Sequence, residues 1–456
     1  GDVYKRQGYE HWPVTRADLD PHYDRVERML RPVPYPFDEP PFSATPKTLA
    51  MKEVAGKLGL SWTLPNLAVT FGAPGKKPGL GEPIDEDHQN LHGVPRQTCR
   101  LCGECNIGCN YGSKNTLDLN YLTEAKRLGA ELRTLCEVET IAPETGGGYS
   151  VTYVEHDPSL GEDVTPPRKT TTIRAPRVVL AAGTLGTTYL LLRNAPRFPG
   201  LSPMLGRRFT GNGDLLTFAM RSRANKDKPK SRRTIDPTHG PVITSSIRVP
   251  DTVDGGTGPG FYLQDAGFPV LAAWAAQAVD APTGIGRLFR YIARYVAGAV
   301  GLTTDTDLGA EVSEFLGSCD FTGASLPMLC MGRDVPDGTM RLRDGDRLDL
   351  DWAAARSAAY FDRVKRTSEL VAKTLDADFA VNPTMYLNRL TTVHPLGGCA
   401  MGQDIRHGVV DDTGQVFGYK GLVIADGSVM PGPVGANPAL TIAALADRFA
   451  ERMLGQ

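Results

Sequence analysis

The sequence predicts an α/β fold, and three observations carry that prediction. Leu422-Val423-Ile424-Ala425 is a short apolar run of the kind that forms a buried parallel strand; it stops at Asp426-Gly427, and a helical pattern follows. Residues 178–182 repeat the arrangement: an apolar strand, the small-residue turn Gly183-Thr184-Leu185-Gly186, then a helix through Leu192. Glycine (50) and proline (35) are abundant, which suits a loop-rich enzyme and excludes a helical bundle.

The elements follow in order. Residues 8 to 90 are irregular and proline-rich, with an amphipathic helix expected near 21–30 after Trp12 to Leu19. Thr45-Pro46-Lys47 opens a second helix that ends near Gly56 to Gly59. Asn115-Thr116-Leu117-Asp118 starts a third, with Leu119, Leu122, Ala125 and Leu128 on one face and Gly129 as its stop. Strands are expected at 131–141 and 149–154 around the turn Gly146-Gly147-Gly148, and again from Ile173-Arg174. From Asp214 to Leu390 no motif carries chemistry by itself, and mixed strands and helices are expected. The basic run Lys226 to Arg233 reads as a solvated loop. Near the end, Asn437 reads as an N-cap and Pro438 as the first helical turn. Ile442, Leu445, Phe449 and Met453 then repeat at helical spacing up to Gly455.

Composition narrows the function. A chain of 456 residues with 41% apolar content can bury the cores of two or three domains. The net charge of −2 advertises no nucleic-acid surface. No run of eighteen apolar residues exists, so no transmembrane segment is expected; the most apolar stretch, 286–302, is broken by Arg287, Arg290 and Arg294 and reads as a packed amphipathic helix. Gly1 to Gln7 is neither an initiator start nor a signal peptide and reads as a foreign leader on an incomplete frame. Eight cysteines without a secretory signal lean towards a reducing, cytoplasmic compartment.

The candidate chemistry lies near the C-terminus. His394 is followed by Pro395, which restrains its backbone, and by Gly397-Gly398, which permit close approach of a ligand or another chain segment. Oxidising an alcohol by hydride loss requires removal of the hydroxyl proton, a task suited to a neutral imidazole. Asn437 can donate to the same oxygen. A histidine alone is more often structural, and Asn437 alone is a plain helix cap; the pairing favours catalysis. The helix beginning near Pro438 offers N–H groups and a positive dipole end to a cofactor ring.

Together, His394 to Gly402, Asp426-Gly427-Ser428 and Gly435-Ala436-Asn437-Pro438 resemble the closing part of the glucose–methanol–choline (GMC) flavin oxidoreductases, cholesterol-oxidase-like branch. The resemblance runs from about Tyr9 to the C-terminus and is firmest at 99–122, 178–194 and 393–446. It implies FAD as cofactor and oxidation of a secondary, sterol-like or other hydrophobic alcohol, a place in steroid or lipid metabolism, and oxygen or another electron acceptor. His394 and Asn437 would be catalytic. Val138, Gly183, Gly186, Asn212, Gly213, Asp426, Gly427, Asn437, Pro438 and Ala439 would line the cofactor. The resemblance also implies an interleaved architecture: a substrate segment 8–112, an FAD-binding (Rossmann-like) segment 113–215, a substrate domain 216–410 built on a mostly antiparallel sheet, and an FAD-binding segment 411–456.

Two departures stand out. The strand–Gly-x-Gly-x-x-Gly–helix that cradles the cofactor pyrophosphate is not found, and Gly255 to Gly260 is glycine-rich without a following helix pattern. The amino-terminal phosphate-binding segment is therefore expected to be truncated, and the chain as given to hold little flavin. The second departure is that Thr322 to Leu329 has no acid where cholesterol oxidases carry a glutamate for double-bond isomerisation, so isomerase activity is not expected.

Cys99-x2-Cys102-x2-Cys105-x3-Cys109 has the spacing of a ferredoxin-type iron–sulfur run. Asn110 stands where proline usually follows, no second run exists, and the surrounding residues resemble a segment of cholesterol-oxidase-like proteins. No metal is assigned: reduced structural thiols or a local disulfide are preferred. Cys136, Cys319, Cys330 and Cys399 read as isolated core residues. The rival functions are an iron–sulfur-assisted flavin dehydrogenase using a non-oxygen acceptor, and a flavin-free inactive fragment.

Overall fold

The structure is a computed structural model that describes residues 12–455 except 74, 160–168, 226, 229–230, 253–254, 270–321, 383–384 and 386–389. The expected helix at 286–302, the leader 1–7 and Cys319 lie outside the described residues.

Helix α1 (Arg16–Leu30) begins five residues earlier than expected. A capping box between Thr15 and Asp18 starts it, and Pro21 is accommodated inside. Helix α2 (Pro46–Leu58) ends on left-handed Gly59, as its sequence predicts. Strand β1 is Ser61–Thr63. The third expected helix is broken. Asn120 leaves helical geometry between a single turn at Leu117–Leu119 and α3 (Tyr121–Arg127), and its side chain caps Tyr121. The predicted apolar face of that helix does not pack, since Leu122 and Leu128 are exposed.

Strands β2 (Cys136–Pro143), β3 (Tyr149–Glu155) and β4 (Thr170–Ala175) form an antiparallel sheet; β2 starts five residues later than expected. Strand β5 (Val178–Leu180) leads through Gly183, φ +75°, into helix α4 (Gly183–Asn194). Then follow β6 (Arg207–Thr210), β7 (Leu215–Met220), β8 (Ser246–Val249), β9 (Phe261–Asp265) and β10 (Leu326–Gly332). Helix α5 (Ala358–Thr374), β11 (Asp378–Val381), β12 (Leu396–Gly398), β13 (Leu422–Ile424) and helix α6 (Ala439–Leu454) complete the frame.

Two cores organise these elements. In the first, β13 pairs in parallel with β5, Leu422 opposite Val178 and Ile424 opposite Leu180. Around this pair pack Leu190 and Leu191 of α4, Leu396, Cys399, Met401, Val410, and Leu445 and Phe449 of α6. Residues 396–410 thus pack with the parallel pair. Helix α1 docks on α6 through His22 and Arg25, which reach Asp447 at 2.7 and 2.8 Å. The second core lies under the expected antiparallel sheet, six strands in the order β11-β7-β10-β9-β8-β1. Because side chains alternate across a strand, Ile247, Phe261, Leu263, Met328, Cys330, Leu215 and Ala219 face α5 and α2. The opposite face carries one row across four strands: Ser246, Gln264, Leu329 and Leu216. Arg233 of the basic run pairs with Glu53 of α2, so that end of the run is anchored. No helix among the described residues is long and apolar enough to cross a membrane.

Phe449 is 1% exposed, and a side chain at Gly414 would collide with its ring. Phe449→Ala should therefore lower stability by about 3–5 kcal/mol, the usual cost of deleting a buried ring. Denaturant unfolding checks this; a loss below about 1 kcal/mol would mean that α6 is not a core element.

Candidate active site

The loop that joins β6 to β7, residues 210–214, holds the candidate histidine. Asp214 is 1% exposed. Its Oδ2 accepts the backbone N–H groups of Val393 (2.9 Å) and His394 (3.1 Å) and the Thr392 hydroxyl (2.9 Å). Its Oδ1 lies 2.8 Å from His394 Nδ1. A carboxylate can only accept, so it selects the tautomer with hydrogen on Nδ1 and leaves a lone pair on Nε2. The two glycines after His394 serve chain packing: side chains there would strike the Arg208 carbonyl at Gly397 and Thr188 at Gly398.

The same loop reaches the candidate asparagine. Asn212, left-handed at φ +55° and fully buried, accepts the N–H groups of Val434 and Gly435 at 2.9 Å each and donates to the Ala436 carbonyl at 2.8 Å. Asn437 comes next. It is not the expected helix cap, because Pro438 occupies the cap position of α6 and no side chain caps that end. Instead, Asn437 Oδ1 accepts Gln264 Nε2 at 2.9 Å, which leaves its own NH₂ group as the outward donor. Asn437 is exposed, at the end of the Ser246–Gln264–Leu329–Leu216 row.

A second carboxylate, Asp334, ties the loop down by accepting Thr210 Oγ1 and the N–H groups of Gly211 and Gly213. Burial pushes its carboxyl up to about 6 in spite of those donors. A third, Asp426, accepts Gly183 N–H at 3.0 Å and Ser428 N–H at 2.8 Å and so aligns the β5–α4 turn with the end of β13. Asp214, Asp334 and Gln264 were missed in the sequence. Asp214 had a signal, an acid directly after Gly211-Asn212-Gly213. Gln264 had none.

The four cysteines of the 99–109 run line one cavity, together with Lys114 and Glu104. All seven described cysteines are free, so the local disulfide expected as one alternative is not formed. Among the described residues, no group of three or more His, Cys, Asp or Glu side chains is placed to hold a single metal ion.

Comparison with known proteins gives the family. Two family profiles, both described as GMC oxidoreductase, match residues 45–209 and 333–446. The chain belongs to the GMC oxidoreductase family. It is similar to a cholesterol oxidase of Mycobacterium tuberculosis, 28% identical over 459 residues that cover 97% of this chain and 73% of that protein. A cholesterol oxidase of Acinetobacter baumannii is 28% identical over 446 residues, 95% of this chain and 74% of that protein. A long-chain-alcohol oxidase of Arabidopsis thaliana is 25% identical over 371 residues, 77% of this chain and 46% of that protein.

A GMC oxidoreductase is a flavoprotein acting on CH–OH donors. The residues at the turn fit a flat ring. A Cβ at Gly183 would stand in open space; its chain neighbours Ala181 and Ala182 are exposed, and so is Ala439 at the start of α6. Both α4 and α6 start without a side-chain cap, which leaves first-turn N–H groups for a ligand. Val138 is also exposed. Asn212, Gly213, Asp426 and Gly427 are buried, and the Asn212 and Asp426 side chains act by holding backbone in place.

Two outcomes follow from this geometry. Asp214→Asn puts an NH₂ donor against the loop N–H groups and loses the tautomer lock, so turnover should fall by at least about 10²-fold. Steady-state kinetics with circular dichroism checks this; near-wild-type turnover would show that the Asp214–His394 contact is dispensable. For Asp334, the raised pKa means that the folded state keeps a proton the unfolded chain releases. Stability should therefore fall as pH rises from 3.8 to about 6. Asp334→Ala should lack that component of the slope in pH-dependent unfolding; superimposable slopes would contradict it.

Proposed function

We propose that the flavin-loaded protein oxidises a secondary alcohol on a hydrophobic, sterol-like molecule to the ketone, with FAD as cofactor and oxygen as final acceptor. One observation carries the reading: His394 and Asn437 both hang on the buried loop 210–214, the first through Asp214 and the second through Asn212. The relatives named as cholesterol and long-chain-alcohol oxidases support a hydrophobic alcohol and oxygen. So does the half-buried apolar surface of Leu216, Phe218 and Leu329, on the sheet face opposite α5.

In this reading His394 Nε2 takes the hydroxyl proton, and the imidazolium so formed is stabilised by Asp214 at Nδ1. Asn437 Nδ2 donates to the substrate oxygen and holds the carbinol carbon in position, while Gln264 fixes the amide orientation. FAD, when bound, supplies the two-electron acceptor for the carbinol hydride. Gly183, Gly186, Val138, Pro438 and Ala439 would hold it, with Asn212, Gly213, Asp426 and Gly427 shaping the backbone around it. The group beside Asn437 is the Gln264 amide, which cannot shuttle protons, and 322–329 has no acid; double-bond isomerisation is not proposed.

The test is anaerobic bleaching of the flavin-loaded protein by a hydroxysteroid. His394→Ala should slow bleaching by about 10²-fold or more while flavin content holds. Asn437→Ala should lower kcat/KM by about 10–100-fold, the range for losing one well-placed hydrogen bond. Its melting temperature should stay at the wild-type value, because Asn437 caps no helix. Wild-type bleaching by His394→Ala would sink the reading.

A further inference from the structure

We propose that Cys99, Cys102, Cys105 and Cys109 bind an iron–sulfur cluster through four thiolates. The inference does not depend on the alcohol chemistry above.

All four sulfur-bearing residues line one cavity at the contact of segment 96–115 with Gly240 and Pro241. In a two-cluster ferredoxin the fourth cysteine of such a run serves a distant cluster. Here it faces the same cavity as the other three, so one run suffices.

The loop is shaped to present hydrogen-bond donors to sulfur. The Leu101 N–H faces the Cys99 sulfur, and the Glu104 N–H faces that of Cys102, in each case two residues downstream. Left-handed backbone at Leu101 (φ +59°) and Gly103 (φ +71°) makes that direction available. Leucine rarely adopts this region, and the strain is held by Gly240 N–H on the Leu101 carbonyl at 2.9 Å and Cys99 N–H on the Thr70 carbonyl at 2.9 Å. N–H donors to sulfur stabilise thiolates and tune cluster potential.

Charge agrees: Lys114 lines the cavity, with its ammonium 3.4 Å from the Cys105 carbonyl, and Glu104 is the one acid among the lining residues.

The experiment is anaerobic reconstitution of the full chain with ferrous iron and sulfide, followed by iron, zinc and acid-labile sulfide analysis and electron paramagnetic resonance after reduction. Wild type should retain iron and sulfide in matching amounts after desalting. Cys105→Ser and Cys109→Ser, at partly exposed positions, should lose both while their circular dichroism stays unchanged. If either variant fails to fold, the wild-type stoichiometry and resonance decide alone. No retained iron, stoichiometric zinc in its place, or equal iron in folded variants would overturn the proposal.

Discussion

The arrangement depends on one buried carboxylate. Asp214 accepts two backbone N–H groups and a hydroxyl on one oxygen and faces the His394 ring with the other. Burying a charge without partners is costly, and four donors satisfy this one. Each donor belongs to residues 392–394, so the interaction that satisfies Asp214 also fixes the backbone and ring of His394. Remove the carboxylate, and the Val393 N–H and the His394 ring lose their acceptor, while the His394 N–H keeps only Thr392 Oγ1 and the Thr392 hydroxyl only the Gly211 carbonyl.

The surrounding loop extends that constraint. Asn212 repeats the device with an amide, using both its oxygen and its nitrogen on 434–436, directly before Asn437. Asp334 pins the loop from behind. The two candidate catalytic side chains lie forty-three positions apart in sequence, yet both are set by five consecutive residues. The parallel pair β5–β13 is coupled to this assembly through Asp426 at Gly183 and through the Thr184 hydroxyl on the Pro395 carbonyl at 2.7 Å. The turn proposed to face the cofactor and the histidine proposed to accept the proton are therefore held by one hydrogen-bond network.

Local chemistry made much of this legible. The strand–turn–helix units, the Gly59 stop of α2 and the spacing of Leu445 and Phe449 are short-range signals, and the structure follows them. The family was legible for the same reason, from the contiguous motifs around His394 and Asn437. Long-range pairing was not. Asp214 and Gln264 are ordinary residues until the loop before β7 and strand β9 carry them to His394 and Asn437. Asn437 looked like a cap because asparagine before Pro-Ala is a good cap locally; its side chain is drawn away by Gln264, a tertiary partner. The helix expected from Asn115 broke at Asn120, where a side-chain cap outcompeted continuous helical pairing.

Asp214 fixes one imidazole tautomer of His394. Nitrogen-15 chemical shifts of the eight histidines, with the His394 pair assigned by its loss in His394→Ala, measure this directly. In the wild type the His394 ring should carry its hydrogen on Nδ1 and be bare at Nε2, and in Asp214→Asn it should shift away from that form. A ring protonated at Nε2 in the wild type, or an unchanged tautomer in Asp214→Asn, would contradict it.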